Sequence, residues 1–352
     1  MNTTALNFDP QALARKYKEE RDKRIRADGN DQYQEVTGDF AYFVEDPYID
    51  RAIERPAINE EVEIVIIGGG FGGMLAAVRL HEAGFEDFKL IEKGGDFGGT
   101  WYWNRYPGAS CDIESYVYLP MLEETGFVPK QKYTDAPETL EYCQVLADKF
   151  DLYDRALMQT EVISTDWDEG SRRWTVATNR QDSLQARFVV HSNGPLNRPK
   201  LPGIKGIDSY KGHTFHTSRW DYEYTGGDSH GNLDGLSDKR VAIIGTGATS
   251  VQCVPHLSKA AKELYVFQRT PSSIDVRGNR PTDGDWAESL EPGWQQHRMT
   301  NFNVLVTGGQ QEEDLVSDGW TDIIRNLGMA AAQRNKDSEI SPAEMAELME
   351  TA

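Results

Sequence analysis

Residues 62–84, VEIVIIGGGFGGMLAAVRLHEAG, constrain what this chain can fold into more than any other stretch. Val62 to Ile67 is a β-branched run with almost no polar alternation, the pattern of a strand buried on both faces of a parallel sheet. It ends in glycines. Residues 71–83 then carry helical spacing, Gly84 closes the helix, and Phe88 to Ile91 supplies a second strand. In this βαβ unit Gly68, Gly70 and Gly73 spell G-x-G-x-x-G, with Phe71 and Gly72 completing the turn. Glycine there permits a tight turn, close approach of a pyrophosphate and helix-to-strand packing, while the helix N-terminus favours the anion. Glu92, at the end of the second strand, can accept hydrogen bonds from both hydroxyls of a ribose.

The arrangement recurs at Val241–Ile244, residues 245–257 and Leu264–Phe267. Its turn reads Gly245-Thr246-Gly247-Ala248-Thr249-Ser250, with serine in the third glycine position, and its second strand ends in Arg269-Thr270. A carboxylate at that point would repel a 2′-phosphate, whereas a guanidinium pairs with it, so this half is expected to prefer NADP over NAD. Two such units predict an α/β protein with two Rossmann-like dinucleotide-binding domains, one for FAD and one for NADP.

Composition narrows the chemistry. Lys and Arg number 37 against 57 Asp and Glu, a formal net charge of −20, which argues against nucleic acid or an anionic membrane surface as partner. No run approaches the ~18 apolar residues of a membrane span. Cys111, Cys143 and Cys253 are too widely spaced for a disulfide framework, a Cys-x-x-Cys redox pair or a cysteine-based zinc site, and no metal site is expected. A cytoplasmic location fits such thiols best. Without a dithiol the electrons of a nicotinamide-fed flavin must go elsewhere, and oxygen is the obvious acceptor.

The organisation reads in three parts: an N-terminal extension over 1–60, an FAD-binding domain over 61–195, and an NADP-binding domain with the start of a helical insertion over 196–352. Asp9-Pro10 predicts the start of a charged, solvated helix ending near Asp28-Gly29, and no strand run precedes Glu61. A helix over 138–150 and a hairpin of Val162–Trp167 with Trp174–Thr178 are expected before the chain leaves the sheet at Ser192-Asn193-Gly194-Pro195. Beyond about residue 280 strand signals give way to helical ones around 320–333, and Ser341-Pro342-Ala343-Glu344 reads as a capping box that opens a helix, with the sequence ending eight residues after Glu344. The expectation is the N-terminal portion of a longer enzyme.

Tyr210-x-Gly212-x-x-x-His216-x-x-x-Trp220-Asp221 resembles the F-x-G-x-x-x-H-x-x-x-W-[P/D] signature of type I Baeyer-Villiger monooxygenases, with Tyr210 in place of phenylalanine. Gly98-Gly99-Thr100-Trp101, Tyr106-Pro107-Gly108 and Asp112 match a second pattern of that family, and the resemblance runs from about residue 60 to 275. It implies FAD held by Gly68–Gly73, Glu92, Gly99, Thr100, Trp101, Asp112 and Tyr118, and NADPH held by Gly245, Thr246, Gly247, Ala248, Thr249, Ser250, Arg269 and Thr270. It further implies that NADPH reduces the flavin, that reduced flavin and O2 give a peroxyflavin, and that this converts a ketone to an ester or lactone. In that scheme Asp112 polarises an arginine from a Lys-Arg segment that follows the helical part of the NADP domain, and no Lys-Arg pair follows Arg240 in this sequence. His216 is read as a hydrogen-bonding linker residue rather than an acid-base catalyst, and Trp101, Trp103 and Tyr106 as an aromatic wall near the flavin. Oxygenation of nitrogen or sulfur by a related flavin enzyme, and a non-catalytic nucleotide-binding module, are the alternatives.

Overall fold

The computed structural model describes residues 9–323. They form two compact units, each built from two stretches of chain: residues up to 109 with 152–273, and residues 110–151 with those from 274 onward. The expected boundary near residue 195 falls inside the first unit, which also contains both glycine turns.

In chain order the elements of the first unit are α1 (Pro10–Arg24), β1 (Tyr33–Gln34), β2 (Asn59–Ile67), α2 (Phe71–Glu82), β3 (Phe88–Ile91), α3 (Thr100–Trp103), β4 (Ala156–Leu157), β5 (Val162–Asp168), β6 (Arg173–Thr178), β7 (Ser183–His191), β8 (Leu201–Pro202), α4 (Tyr222–Thr225), β9 (Arg240–Ile244), α5 (Ala248–Ala260) and β10 (Glu263–Phe267). Six of the strands make one sheet in the order β4-β3-β2-β7-β6-β5. β2 lies between β3 and β7, parallel to both, and its Val65 and Ile66 are fully buried. That two-sided burial is why the run lacks polar alternation. Met74, Ala77 and Val78 form the buried stripe of α2, and each large side chain in it stabilises by roughly 1.5–3 kcal/mol. β5 and β6 make the expected hairpin, with Trp167 opposite Trp174, and β9 pairs with β10 in a separate parallel ribbon.

The extension departs from the sequence reading. α1 starts as expected, Asp9 accepting the Gln11 N–H at 2.9 Å, and its side chains are nearly all exposed. The residues after it pack onto the rest of the first unit. β1 pairs antiparallel with β8, and Val36, Phe43 and Leu201 are buried together. The Tyr102 hydroxyl donates to Asp46 at 2.7 Å, and the Trp220 N–H donates to the Tyr48 hydroxyl at 3.1 Å. Arg55 forks onto the buried Asp182 at 2.6 and 2.7 Å, where Thr178 and the Ile58 N–H also donate. A two-residue ladder and scattered polar contacts leave no periodic signal, so sequence pattern does not reveal them.

The second unit is mainly helical. Asp135 caps Ala136–Lys149 by accepting the Glu138 N–H at 3.0 Å, and helices at Ser115–Tyr118, Leu122–Thr125, Gly284–Glu288 and Trp294–Val306 accompany it. Its interior is polar but satisfied. Arg298 forks onto the buried Glu114 at 2.6 and 2.8 Å. Gln295 accepts from the Leu122 N–H and donates to the carbonyls of Tyr116 and Leu119, which ties helix ends together. Of the expected helix over 320–333, residues 319–323 are helical; the remainder and the Ser341 capping box lie outside the described residues. No helix among the described residues is long and apolar enough to cross a membrane.

Candidate functional site

The first glycine turn is locked by close approaches. A Cβ on Gly73 would sit 1.8 Å from the Gly68 carbonyl oxygen, so only glycine lets α2 begin this close to β2. A Cβ on Gly99, whose φ is +53°, would come within 2.7 Å of Gly70 Cα, and the Gly98 N–H donates to the Gly69 carbonyl at 2.9 Å. The family pattern Gly98-Gly99-Thr100-Trp101 is therefore the segment laid directly on the dinucleotide turn, with Thr100 opening α3 and Trp101 buried. Gly70 stands at the N-cap of α2 and no side chain caps that helix. Such an uncapped start, backed by glycines, suits a pyrophosphate. Glu92 is buried, and its two carboxylate oxygens accept the N–H groups of Gly69 and Gly94, each at 2.6 Å. Burial raises its pKa and these two donors oppose the rise. An ionised carboxylate offers about four acceptor sites, so two remain for a ribose diol. Sequence reasoning missed Ser192, whose carbonyl backs Gly68.

The second turn is built differently. Gly247 caps α5 in extended backbone, and a Cβ added there would meet nothing within 4 Å. Neither conformation nor packing demands glycine at Gly247; a phosphate approaching the backbone would. Ser250 is buried in the third glycine position. Thr246 donates its hydroxyl to the Thr270 carbonyl at 3.0 Å and Gln268 donates to Thr246 at 3.2 Å, which fastens the turn to the end of β10. Ala248 and Thr249 begin α5. Arg269 is exposed and donates to the side-chain carbonyl of Gln32. Both turns thus have residues that fit dinucleotides.

The Tyr106-Pro107-Gly108 match acquires a physical role. Tyr106 donates to Gln252 of α5 at 2.8 Å, and a Cβ on Gly108 would lie 2.6 Å from the Gln252 carbonyl, so this segment docks the first half onto the helix of the second turn. Trp103 has two cations over its ring: the Arg219 guanidinium carbon is 3.6 Å from its centroid and Lys93 Nζ 5.4 Å. Both cations donate to the Asn197 carbonyl at 3.2 Å. Of the expected aromatic wall, Trp103 and Tyr106 are thus engaged in the core.

Within the linker signature, His216 accepts the Ser218 N–H at Nδ1, and burial with the neighbouring Arg219 charge lowers its pKa to about 4. The lowered value favours the uncharged ring, whose Nδ1 then has a lone pair for the Ser218 N–H. Asp221 caps α4 by accepting the Tyr224 N–H at 2.9 Å and pairs with His213 at 2.8 Å. Trp220 is buried and donates to Thr225, whereas Tyr210 is exposed with its ring folded over Gly212.

Asp112 and Tyr118 belong to the second unit. Asp112 is exposed, and its backbone carbonyl, not its carboxylate, is what Arg277 and Trp320 donate to. Tyr118 ends a short helix, its N–H donating to the Glu114 carbonyl. The three cysteines are buried and none is in a disulfide among the described residues, and burial pushes the thiols of Cys111 and Cys253 up to about 12.

Residues 65–301 match the family model described as pyridine nucleotide-disulphide oxidoreductase. A Baeyer-Villiger monooxygenase of Stachybotrys chlorohalonatus is 54% identical over 91% of this chain and 51% of its own length. The polycyclic ketone monooxygenase of Thermothelomyces thermophila superposes with a TM-score of 0.84 at 43% identity, over 88% of this chain and 53% of that one. OTEMO, solved in complex with FAD and NADP, gives a TM-score of 0.61 at 36% identity over 72% of this chain and 46% of that one. The chain spans about half the length of the curated relatives it matches. Two glycine turns in strand-turn-helix junctions agree with these likenesses, and the chain belongs to the pyridine nucleotide-disulphide oxidoreductase family.

Proposed function

We propose that this chain carries the FAD-binding and NADPH-binding turns of a monooxygenase that uses O2 to convert ketones to esters or lactones. The observation that carries the reading is the pairing of two strand-turn-helix junctions in one compact unit, the first followed by buried Glu92 and the second by Arg269. FAD, when bound, supplies electron transfer and oxygen activation. Gly68, Gly70, Phe71, Gly72 and Gly73 would hold its pyrophosphate against the start of α2, and Glu92 its ribose. Gly98 and Gly99 keep that turn in shape. Gly245 to Ser250 would hold the NADPH pyrophosphate, with Arg269 and Thr270 at its 2′-phosphate. Asp112 and Tyr118 are further candidates for holding FAD, and Asp112 for orienting a cation at the reacting centre, on the motif resemblance alone. His216, held neutral, orients the linker and moves no proton.

The test is direct. Purified protein is mixed with FAD, NADPH, air and a panel of linear, cyclic and polycyclic ketones, while flavin retention, flavin bleaching and ester or lactone formation are followed. Retained flavin that NADPH bleaches, with ketone-derived ester, supports the reading. Protein that retains no flavin overturns it, and sulfoxide from a sulfide without any ester overturns the ketone assignment.

A further inference from the structure

The N-terminal extension reaches the residue that is read as the selector for NADPH. Arg269 donates to the Gln32 side-chain carbonyl. Gln32 is itself fixed on both sides: its amide nitrogen donates to the Gly29 carbonyl at 2.5 Å, and its backbone carbonyl accepts the Gly203 N–H at 2.9 Å. The next two residues form the β1–β8 ladder, and a Cβ on Gly203 would strike the Gln32 carbonyl at 2.4 Å, so the chain is pressed against the linker at this point. With the amide nitrogen committed to Gly29, the side-chain carbonyl can only point outward, to Arg269.

The chemistry of the contact matters as much as its place. A guanidinium has five N–H donors in a rigid fork, and one spent on a neutral carbonyl leaves the positive charge and the other donors free for a phosphate. A carboxylate in the same spot would neutralise Arg269 and compete with the phosphate. Glu35, the residue after β1, is taken up by Arg198 at 3.3 Å and Lys200 at 3.6 Å. The carboxylate is drawn to the linker cations and the neutral amide is left to Arg269.

We propose that Gln32 is a positioning residue for cofactor selection, so that the extension holds Arg269 ready for the 2′-phosphate of NADPH. The inference rests on the reading of Gly245–Thr270 as the NADPH site. Equilibrium binding of NADP+ and NAD+ to the 352-residue chain tests it with Gln32→Ala, Gln32→Glu and Arg269→Ala, each checked for an unchanged melting temperature. Gln32→Ala is expected to weaken NADP+ about fivefold, the loss of one hydrogen bond to a charged group, with NAD+ unchanged. Gln32→Glu is expected to weaken NADP+ further, on the order of twentyfold, through charge competition. Arg269→Ala is expected to erase the preference for NADP+. If Arg269→Ala erases it while both Gln32 variants keep the wild-type ratio, the proposal falls and the site reading stands. If the Gln32 variants weaken both nucleotides equally, Gln32 only supports the fold, and the proposal is again overturned. If Arg269→Ala keeps the preference, the site reading itself fails and takes the proposal with it.

Discussion

Arg219 lies over Trp103, its guanidinium carbon 3.6 Å from the ring centroid. It is buried, its Nη atoms donate to the carbonyls of Ser218 and Asn197, its Nε has no hydrogen-bond partner among the described residues, and burial lowers its pKa to about 10. Stacking on an aromatic face is what makes such a cation tolerable. Arg219→Lys should therefore cost about 2 kcal/mol, because a compact ammonium can neither stack nor reach both carbonyls. Arg219→Met, which keeps the stem and removes the buried charge, should cost less. Urea midpoints read by far-UV circular dichroism check this, and a lysine variant as stable as wild type would contradict it.

His216 sets a pH window. Its folded pKa is lowered to about 4 from an ordinary value near 6.5, so between these values the unfolded chain binds the extra proton. The contribution is fully present above about pH 6.5 and is lost as the pH falls toward 4, on the order of 3 kcal/mol at full effect and less in proportion to the ring's partial exposure. Melting temperatures across that range for wild type and His216→Gln should converge in acid; parallel curves would refute the assignment.

Arg55 and Asp182 clamp the extension to the sheet. The pairing holds the Asp182 carboxyl below the usual carboxylate range, chiefly through Arg55, so its contribution is present above about pH 4 and is lost only in stronger acid, in a window separate from that of His216. Arg55→Ala strands a buried carboxylate and should cost about 3–5 kcal/mol. Chemical denaturation at neutral pH measures it, and a loss below about 1 kcal/mol would show the clamp to be unimportant.

Two glycine-to-alanine changes should behave oppositely. Gly99→Ala meets Gly70 Cα at a left-handed backbone position, and a loss of at least about 1–3 kcal/mol is expected in the melting transition. Gly247→Ala meets nothing, so its stability should match wild type while NADP+ affinity falls at least tenfold, as the methyl enters the space read for the pyrophosphate. Unchanged affinity in Gly247→Ala would remove the second turn from the cofactor site.

The parts of the molecule that sequence reveals are those with short-range pattern. β2, α2 and β3 follow from hydrophobic period and glycine punctuation, and the Trp167–Trp174 hairpin from a turn signal between alternating runs. The division into units was not legible, because the second unit is assembled from two segments separated by most of the first. Nor was the work of the extension. Gln32 and Tyr48 are unremarkable as residue types and gain meaning only from Arg269 and Trp220, far along the chain. Nor does any motif point to Arg277, which donates to the Asp112 backbone carbonyl from 165 positions away.

The β1–β8 ladder also sets an order of events during synthesis. Tyr48 and the Trp220 amide that it receives are 172 positions apart. At about 5–20 residues per second the extension waits roughly ten to thirty seconds for β8 and the linker to leave the ribosome. Throughout that time Val36 and Phe43 stay uncovered, so a nascent chain halted between residue 60 and residue 200 is the form most exposed to chaperone capture or aggregation.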